Sequence, residues 1–216
     1  ARFTPVNWHL SADEVAYIVG DCAARTIVVD ARFAATAMPA ADAHHVPSRF
    51  SIGGPLPGFT DLNSAAAAEA ATPLGHPVAG TTMFYTSGST GRPKGVLKPP
   101  RKPSISDRSG DEPRPGVPPL RLVPGVSRSL VTGPLYHAAP LYFSLTHPMT
   151  AGVGVVLMER FDAEETLRLI TEHRITHSHM VPTMFRRMLA LPPRVRSRYD
   201  VSSLVHVWHG AAPCPV

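Results

Sequence analysis

The sequence YTSGSTGRPKG, at residues 85–95, follows a short apolar run that predicts the end of a strand. Glycines let the backbone turn with positive φ and bring N–H groups close to an anion. Hydroxyl side chains add hydrogen-bond donors, and Lys94 adds a positive charge. A flexible Gly/Ser linker is the alternative, but linkers rarely follow an apolar strand and end in a lysine. The segment therefore predicts a loop that binds a polyphosphate.

The spacing within this loop excludes the Walker A pattern. That pattern requires G-x-x-x-x-G-K-[ST], whereas Gly88, Gly91 and Lys94 are three residues apart and Gly95 follows the lysine. The loop resembles the signature loop of the adenylate-forming (AMP-binding) superfamily, which includes acyl-CoA synthetases, luciferases and the adenylation domains of peptide synthetases. The resemblance implies that seven residues bind the phosphates of ATP: Thr86, Ser87, Gly88, Ser89, Thr90, Gly91 and Lys94.

The composition is that of a globular chain whose ligand is small and anionic. Of 216 residues, 44% are hydrophobic and 17% are charged, and the net charge is +5. The basic residues form no long stripe and aromatic residues make up only 7%, which argues against nucleic-acid binding. No apolar run is long enough to span a membrane and no signal peptide is visible. Two well-separated cysteines without a C-x-x-C motif suit a reducing compartment, so a cytoplasmic location is expected.

The start of the chain predicts a helix followed by a strand. Ser11 and Glu14 form a capping box, and apolar residues follow them at helical spacing. Residues 26–30 are a β-branched run that predicts a strand buried on both faces. Ala-rich pieces at residues 33–43 and 64–71 are candidates for short helices.

Residues 97–127 interrupt the pattern. Eight prolines occur between Pro99 and Pro124, and each proline inside a helix costs about 3 kcal/mol. An exposed, irregular excursion is predicted where the resemblance implies a helix; an artefact of the source gene is the alternative. The predicted organisation is a first α/β part with the phosphate loop at residues 1–96, this excursion, and a second α/β part at residues 128–216.

The second part alternates strands with helices. Strands are predicted at residues 129–132, 152–158, 175–180 and 204–208. Helices are predicted at residues 139–151, after an Asp162 cap, and from Pro182 onward, with an i,i+4 ion pair between Glu164 and Arg168. The alternation predicts an α/β fold with mostly parallel sheets flanked by helices. The resemblance implies an incomplete N-terminal domain of an adenylate-forming enzyme, without its C-terminal domain.

His137 lies in the sequence PLYHAAP at residues 134–140. On the residues alone it could be a base, a pocket wall or a plain helix-start residue. The motif resembles one that places an aromatic or imidazole side chain at the acyl pocket of the family, which favours a pocket wall. No acid–base partner is visible, so no catalytic role is assigned. The resemblance also implies that Met180 and Thr183 line the acyl pocket.

Two pairs of histidines raise the question of a metal site. His177 and His179 point to the same face of a predicted strand, and His44 adjoins His45. Neither pair has a third ligand at a suitable spacing. Packing or pocket-wall roles are therefore predicted for the first pair, surface positions for the second, and no metal site.

The sequence HGAAPCP at residues 209–215 follows the last predicted strand. Small residues after a strand let a flat ring lie against the backbone. The segment resembles the adenine-binding segment of the family, which implies that Gly210, Ala211, Ala212 and Pro213 bind adenine. Three motifs thus occur in the family's order over residues 85–215.

The resemblance implies a two-step ligase reaction. A small-molecule carboxylate attacks the α-phosphate of ATP, with Mg²⁺ present, and gives an acyl-adenylate and pyrophosphate; coenzyme A then displaces AMP. The motifs at residues 7–10, 134–140 and 209–215 resemble fatty-acyl-CoA synthetases, so a fatty acid is the expected substrate. The acidic Mg²⁺-binding motif and C-terminal lysine of the family are not found before Val216. Catalytic residues are therefore unassigned, and the chain is expected to be a fragment that is weakly active or inactive alone.

Other functions stay open. One is a non-catalytic nucleotide-binding or interaction module, and another is an adenylation domain that acts on an aryl or amino acid. A phosphate-loop NTPase is disfavoured by the missing G-K-[ST], and the product, AMP or ADP, would discriminate. A serine hydrolase is disfavoured because no G-x-S-x-G occurs. The sequence indicates no oligomeric state.

Overall fold

The structure, a computed structural model, describes residues 1–72, 75, 80–86, 92–97 and 121–213. It divides into two compact units, Ala1–Ile105 and Ser106–Val216, which are described in turn. Most of the proline-rich stretch, residues 98–120, lies outside the described residues. No helix in the described part of the chain has the length and apolar character needed to cross a membrane.

The first unit contains two small sheets and three α-helices in its described residues. In chain order its elements are β1 (Arg2–Phe3), α1 (Ala12–Asp21), β2 (Thr26–Asp30), α2 (Ala34–Ala43), β3 (Ser48–Ile52), β4 (Thr60–Asp61), α3 (Leu62–Ala67), β5 (Thr81–Thr86) and β6 (Lys94–Leu97). Strands β2, β3 and β4 form a parallel sheet in that order. In the second sheet, β5 lies between β1, to which it is parallel, and β6, to which it is antiparallel.

Helix α1 begins at the predicted capping box, which is confirmed. The Ser11 hydroxyl accepts a bond from the Glu14 N–H, and the Glu14 carboxylate accepts one from the Ser11 N–H at 2.8 Å. The bond from the Ser11 backbone holds the pKa of Glu14 below its usual value. The apolar face of α1 packs on the alanines of α2, which are small enough to allow close approach. The cluster consists of Val15, Val19, Ala40, Ala41 and Val46.

The expectation that β2 is buried on both faces is wrong. Strand β2 has the predicted bounds, but among its residues only Val29 is buried, and Val28 is 50% exposed. Alternate residues of a strand point to opposite faces, and Ile27 packs against the cluster formed by α1 and α2. In its own unit, β2 is therefore covered on one face.

The second unit is built around one parallel sheet. In chain order its elements are β7 (Arg128–Val131), a π-helix (Pro140–Thr146) continued by α4 (His147–Thr150), β8 (Gly154–Leu157), α5 (Ala163–His173), β9 (His177–Met180), α6 (Pro182–Leu189), α7 (Pro193–Arg196) and β10 (His206–His209). The four strands are all parallel and have the order β10-β9-β7-β8. The predicted α/β fold with mostly parallel sheets is confirmed.

The two faces of this sheet are covered by different helices. On one face, Leu130 and Met180 pack with the apolar side of α5, and the methionines of α6 complete the cluster. On the other face the π-helix lies against the sheet, because the Ser129 hydroxyl donates to the Ser144 carbonyl at 2.8 Å. The Ser144 hydroxyl in turn accepts a bond from the His179 N–H at 3.2 Å.

The predicted ion pair of Glu164 with Arg168 is wrong. The Arg168 guanidinium bonds Glu165, one turn before it, at 2.6 and 2.7 Å, and it also contacts Glu172. Glu164 instead accepts a hydrogen bond from the Tyr199 hydroxyl at 2.8 Å. Tyr199 is far away in sequence, so helical spacing alone could not show this competing partner.

Candidate functional site

The phosphate loop is closed at its base by two strands of the first unit. Strands β5 and β6 pair in an antiparallel manner, and Thr86 lies directly opposite Lys94. Both residues are exposed. The predicted phosphate-binding residues Ser87, Gly88, Ser89, Thr90 and Gly91 lie outside the described residues. The structure thus brings together Thr86 and Lys94, the residues at the two ends of the predicted loop.

Gly95 allows this pairing. A Cβ atom at that position would lie 2.2 Å from Met83 Cε and 3.2 Å from Tyr85 Cζ, both side chains of the opposite strand. The glycine after the lysine therefore leaves space for these two side chains, and a larger residue would force them away.

Helix α1 contacts the chain on both sides of the loop, at the end of β5 and just before β6. The Tyr17 hydroxyl donates to the Pro93 carbonyl at 3.1 Å, and the Arg92 guanidinium lies 5.2 Å from the centre of the Tyr17 ring. The Tyr85 hydroxyl donates to the Asp21 carboxylate at 2.5 Å. Partial burial, and then the bond to Asp21, raise the pKa of Tyr85 far above its usual value. The phenol is therefore a stable donor over the whole physiological pH range.

The predicted acyl-pocket residues have different environments within the second unit. His137 is exposed, and its ring lies 4.8 Å from that of Tyr136. Thr183 is exposed in the first turn of α6. Met180 is only 1% exposed and belongs to the apolar core. The acyl-pocket role of these three residues stays a prediction.

Aromatic rings cover the face of the second sheet on which the π-helix lies. The Phe143 ring is 5.7 Å from the rings of both His179 and Trp208, with interplanar angles of 9° and 19°. Trp208 also stacks on His206 at 4.0 Å. His179 is only 5% exposed, and its burial, followed by the charge of His209, lowers its pKa. This side chain packs as a neutral ring.

The predicted adenine-binding segment leaves β10 beside this stack. Ala211, Ala212 and Pro213 are exposed. A Cβ atom on Gly210 would lie 3.9 Å from His179 Nε2, so the backbone passes close to the imidazole. Ala211 has a φ of 68°, in the left-handed region that residues with a Cβ rarely adopt. Backbone strain of this kind is concentrated at functional sites.

Comparison with known proteins identifies the family. The AMP-binding enzyme family matches residues 1–216, the whole sequence. The chain belongs to the AMP-binding enzyme family. The family membership that the sequence predicted is thereby confirmed.

Relatives within the family include enzymes named for the acids they join to coenzyme A. The chain is 31% identical to an indoleacetate–CoA ligase of Aromatoleum aromaticum and 30% identical to a feruloyl-CoA synthase of an Amycolatopsis species. Both matches cover 100% of this chain but only 41% and 40% of the relatives. The fold is also similar to part of the luciferase-like enzyme from the mealworm Zophobas morio, with a TM-score of 0.72 and 16% identity, over 100% of this chain and 49% of that chain.

Several features of the site were missed by the sequence analysis. Strand β6 was not predicted, although Val96 and Leu97 give a short apolar signal beside the loop. The stack of Trp208 on Phe143 was not predicted either. His206 and Trp208 are two residues apart in a strand, as His177 and His179 are, so both pairs point to one face of their strand. The contacts of Tyr17 and Asp21 had no local signal, since their partners are more than sixty residues away.

Proposed function

We propose that this chain binds ATP and belongs to an enzyme that activates a carboxylic acid and transfers it to coenzyme A. The observation that carries the proposal is the pairing of Thr86 with Lys94 at the base of a hydroxyl- and glycine-rich loop, in a chain that the AMP-binding enzyme family matches throughout. Because the chain spans about 40% of the curated relatives, the complete reaction is proposed for the whole enzyme.

The proposed reaction has two steps. In the first, a carboxylate oxygen forms a bond to the α-phosphorus of ATP and the bond to the β-phosphate oxygen breaks, which gives an acyl-adenylate and pyrophosphate. In the second, the sulfur of coenzyme A bonds to the acyl carbon, AMP leaves, and the thiol proton passes to solvent. The first step is difficult because an anion attacks a polyanion, so fixed donors and cations around the phosphates would lower its barrier.

The residues of the loop would supply that stabilisation. Lys94 would neutralise charge on the departing pyrophosphate, and the Thr86 hydroxyl would donate to a phosphate oxygen. Gly210 and Ala211 would leave a flat surface for the adenine ring. Among the described residues no cluster of three or more carboxylate, imidazole or thiol groups could bind Mg²⁺, so no residue is assigned to that ion.

The substrate would be a carboxylate with an apolar body, and two classes compete. The motifs that resemble fatty-acyl-CoA synthetases favour a fatty acid. Two relatives that match the whole chain are named for indoleacetate and ferulate, which favours an aromatic acid, whereas a relative that matches 97% of the chain is named for a fatty acid. Because the first two cover the chain in full, aromatic acids are the first class to test.

Nucleotide binding by the chain tests the proposal directly. We expect ATP to bind and Lys94→Gln to weaken that binding by about tenfold, since a hydrogen bond to a charged group contributes about 1.5–3 kcal/mol. Arg194→Gln, which removes an exposed charge far from the loop in sequence, is the control. Equal ATP affinity in Lys94→Gln and the unmodified chain would contradict the assignment of Lys94.

The reaction class is tested by its product. The whole enzyme, rather than this chain alone, is incubated with ATP, coenzyme A and either indoleacetate, ferulate or palmitate, and the nucleotide product is separated. AMP formed only when an acid is present supports acid activation, and the acid that gives the fastest turnover identifies the class. ADP would indicate an NTPase, and ATP binding without any product would indicate a non-catalytic module.

A further inference from the structure

We propose that Tyr17 and Asp21, on helix α1, are positioning residues that hold the two ends of the phosphate loop. The inference rests on the proposed function of that loop in binding ATP phosphates, and it assigns to a distant helix the task of fixing the loop's base. Asp21 belongs to none of the motifs by which the sequence resembles the family.

The two residues act on opposite sides of the same loop. They are four positions apart in α1 and so lie on one face of the helix. Tyr17 donates its hydroxyl hydrogen to the carbonyl of Pro93, the residue before Lys94. Asp21 accepts the hydroxyl hydrogen of Tyr85, the residue before Thr86. Each of the two loop-closing residues, Thr86 and Lys94, therefore follows a residue that is bonded to α1.

A third contact holds the charged side of the loop. The Arg92 guanidinium lies 5.2 Å from the centre of the Tyr17 ring, within the range of a cation–π interaction. Tyr17 thus contacts both Arg92 and Pro93. Because the guanidinium keeps its charge in such a contact, Arg92 would be held beside the loop as a second cation near the phosphates.

The stability of α1 does not explain the presence of Asp21. It is the last residue of α1, where the helix dipole disfavours a negative charge. The helix also has acidic residues in its first turn, where they are favourable, and no basic residue in its last turn. The contact with Tyr85 gives the carboxylate a role, and the raised pKa of Tyr85 agrees with that contact.

Positioning matters because a loop pays an ordering cost when it binds a ligand. Fixing the loop's ends before the phosphates arrive reduces the freedom that binding must remove, which increases affinity without a direct contact. The alternative is that these bonds only stabilise the fold. In that case their loss lowers the unfolding temperature but leaves the affinity of the folded chain unchanged.

The test measures tripolyphosphate affinity by calorimetry, well below the unfolding temperature of each variant. Tyr17→Phe removes the hydroxyl and keeps the ring beneath Arg92, whereas Asp21→Ala removes the acceptor. We expect each to weaken binding by roughly threefold to tenfold, as for the loss of one hydrogen bond. Asp21→Asn keeps an acceptor oxygen for Tyr85 and is expected to restore affinity to within about twofold of the unmodified chain.

Tyr199→Phe is the matched control. It removes a phenol–carboxylate bond of the same kind, to Glu164 in the second unit, and is expected to leave tripolyphosphate affinity unchanged. Amide hydrogen exchange at residues 85–86 and 92–97 is the second measurement, and we expect it to be faster in Tyr17→Phe. Exchange that is unchanged at these positions would overturn the inference.

The outcomes separate this inference from the proposed function. If the unmodified chain does not bind tripolyphosphate, the phosphate-binding role fails and the inference fails with it. If the unmodified chain binds and Tyr17→Phe and Asp21→Ala bind equally well, only the inference is overturned. A lower unfolding temperature with unchanged affinity would likewise show that the two contacts are structural alone.

Discussion

At the scale of single residues, His179 is a histidine whose environment favours its neutral form. Its ring stacks on Phe143 and is almost fully buried, and its pKa is lowered, mainly by burial and then by the charge of His209. The neutral ring is thus favoured in the folded chain, so the unfolded chain binds the extra proton more readily. The stability that the neutral His179 ring gives the folded chain is fully present above about pH 6.5, the ordinary pKa of histidine. It is lost as the pH falls below that value.

We therefore predict that the free energy of unfolding falls as the pH drops below about 6.5, and that His179→Phe makes this decrease smaller. Phenylalanine keeps the stacked ring but does not titrate. Urea unfolding at several pH values measures the effect. His137→Phe, which replaces an exposed imidazole of the same unit, is the control. An unchanged pH dependence in His179→Phe would show that the decrease arises from other groups.

At the scale of helices and strands, local signals predicted elements and missed partners. Helix α1 and the Asp162 cap of α5 were predicted because capping and helical spacing act within a few residues. The exposed Val28 and the bond of Glu164 to Tyr199 were not predicted, because each depends on what packs against the element. The contacts of α1 with Tyr85 and Pro93 were missed for the same reason.

The attachment of the π-helix to the sheet gives the prediction at this scale. Ser144 is fully buried, and its hydroxyl accepts the bond from the His179 N–H. Ser144→Ala removes that acceptor from a buried donor, so we expect a loss of about 1–3 kcal/mol in the free energy of unfolding. Ser197→Ala, at an exposed position with a bond of 3.4 Å, is expected to change it by less than about 0.5 kcal/mol. Equal effects of the two changes would contradict the structural role given to Ser144.

At the scale of the whole molecule, each unit has a core of its own among the described residues. The first unit has the cluster shared by α1 and α2, and the second has the cluster beneath α5 and α6. The sequence contains two tryptophans, Trp8 in the first unit and Trp208 in the second. In Trp208→Phe the remaining Trp8 reports the unfolding of the first unit by its fluorescence. In Trp8→Phe the remaining Trp208 reports the unfolding of the second unit.

This pair of reporters tests where a polyphosphate binds. A ligand that binds only the folded state stabilises it by about 2.7 kcal/mol at a concentration of 100 times its Kd. Because the loop that begins at Thr86 and ends at Lys94 belongs to the first unit, we expect tripolyphosphate to raise the free energy of unfolding reported by Trp8 by about that amount. A smaller increase is expected in the free energy of unfolding that Trp208 reports. Equal changes at both reporters would show that the units unfold as one body, and a change at Trp208 alone would place the anion site in the second unit and refute the assignment of the loop.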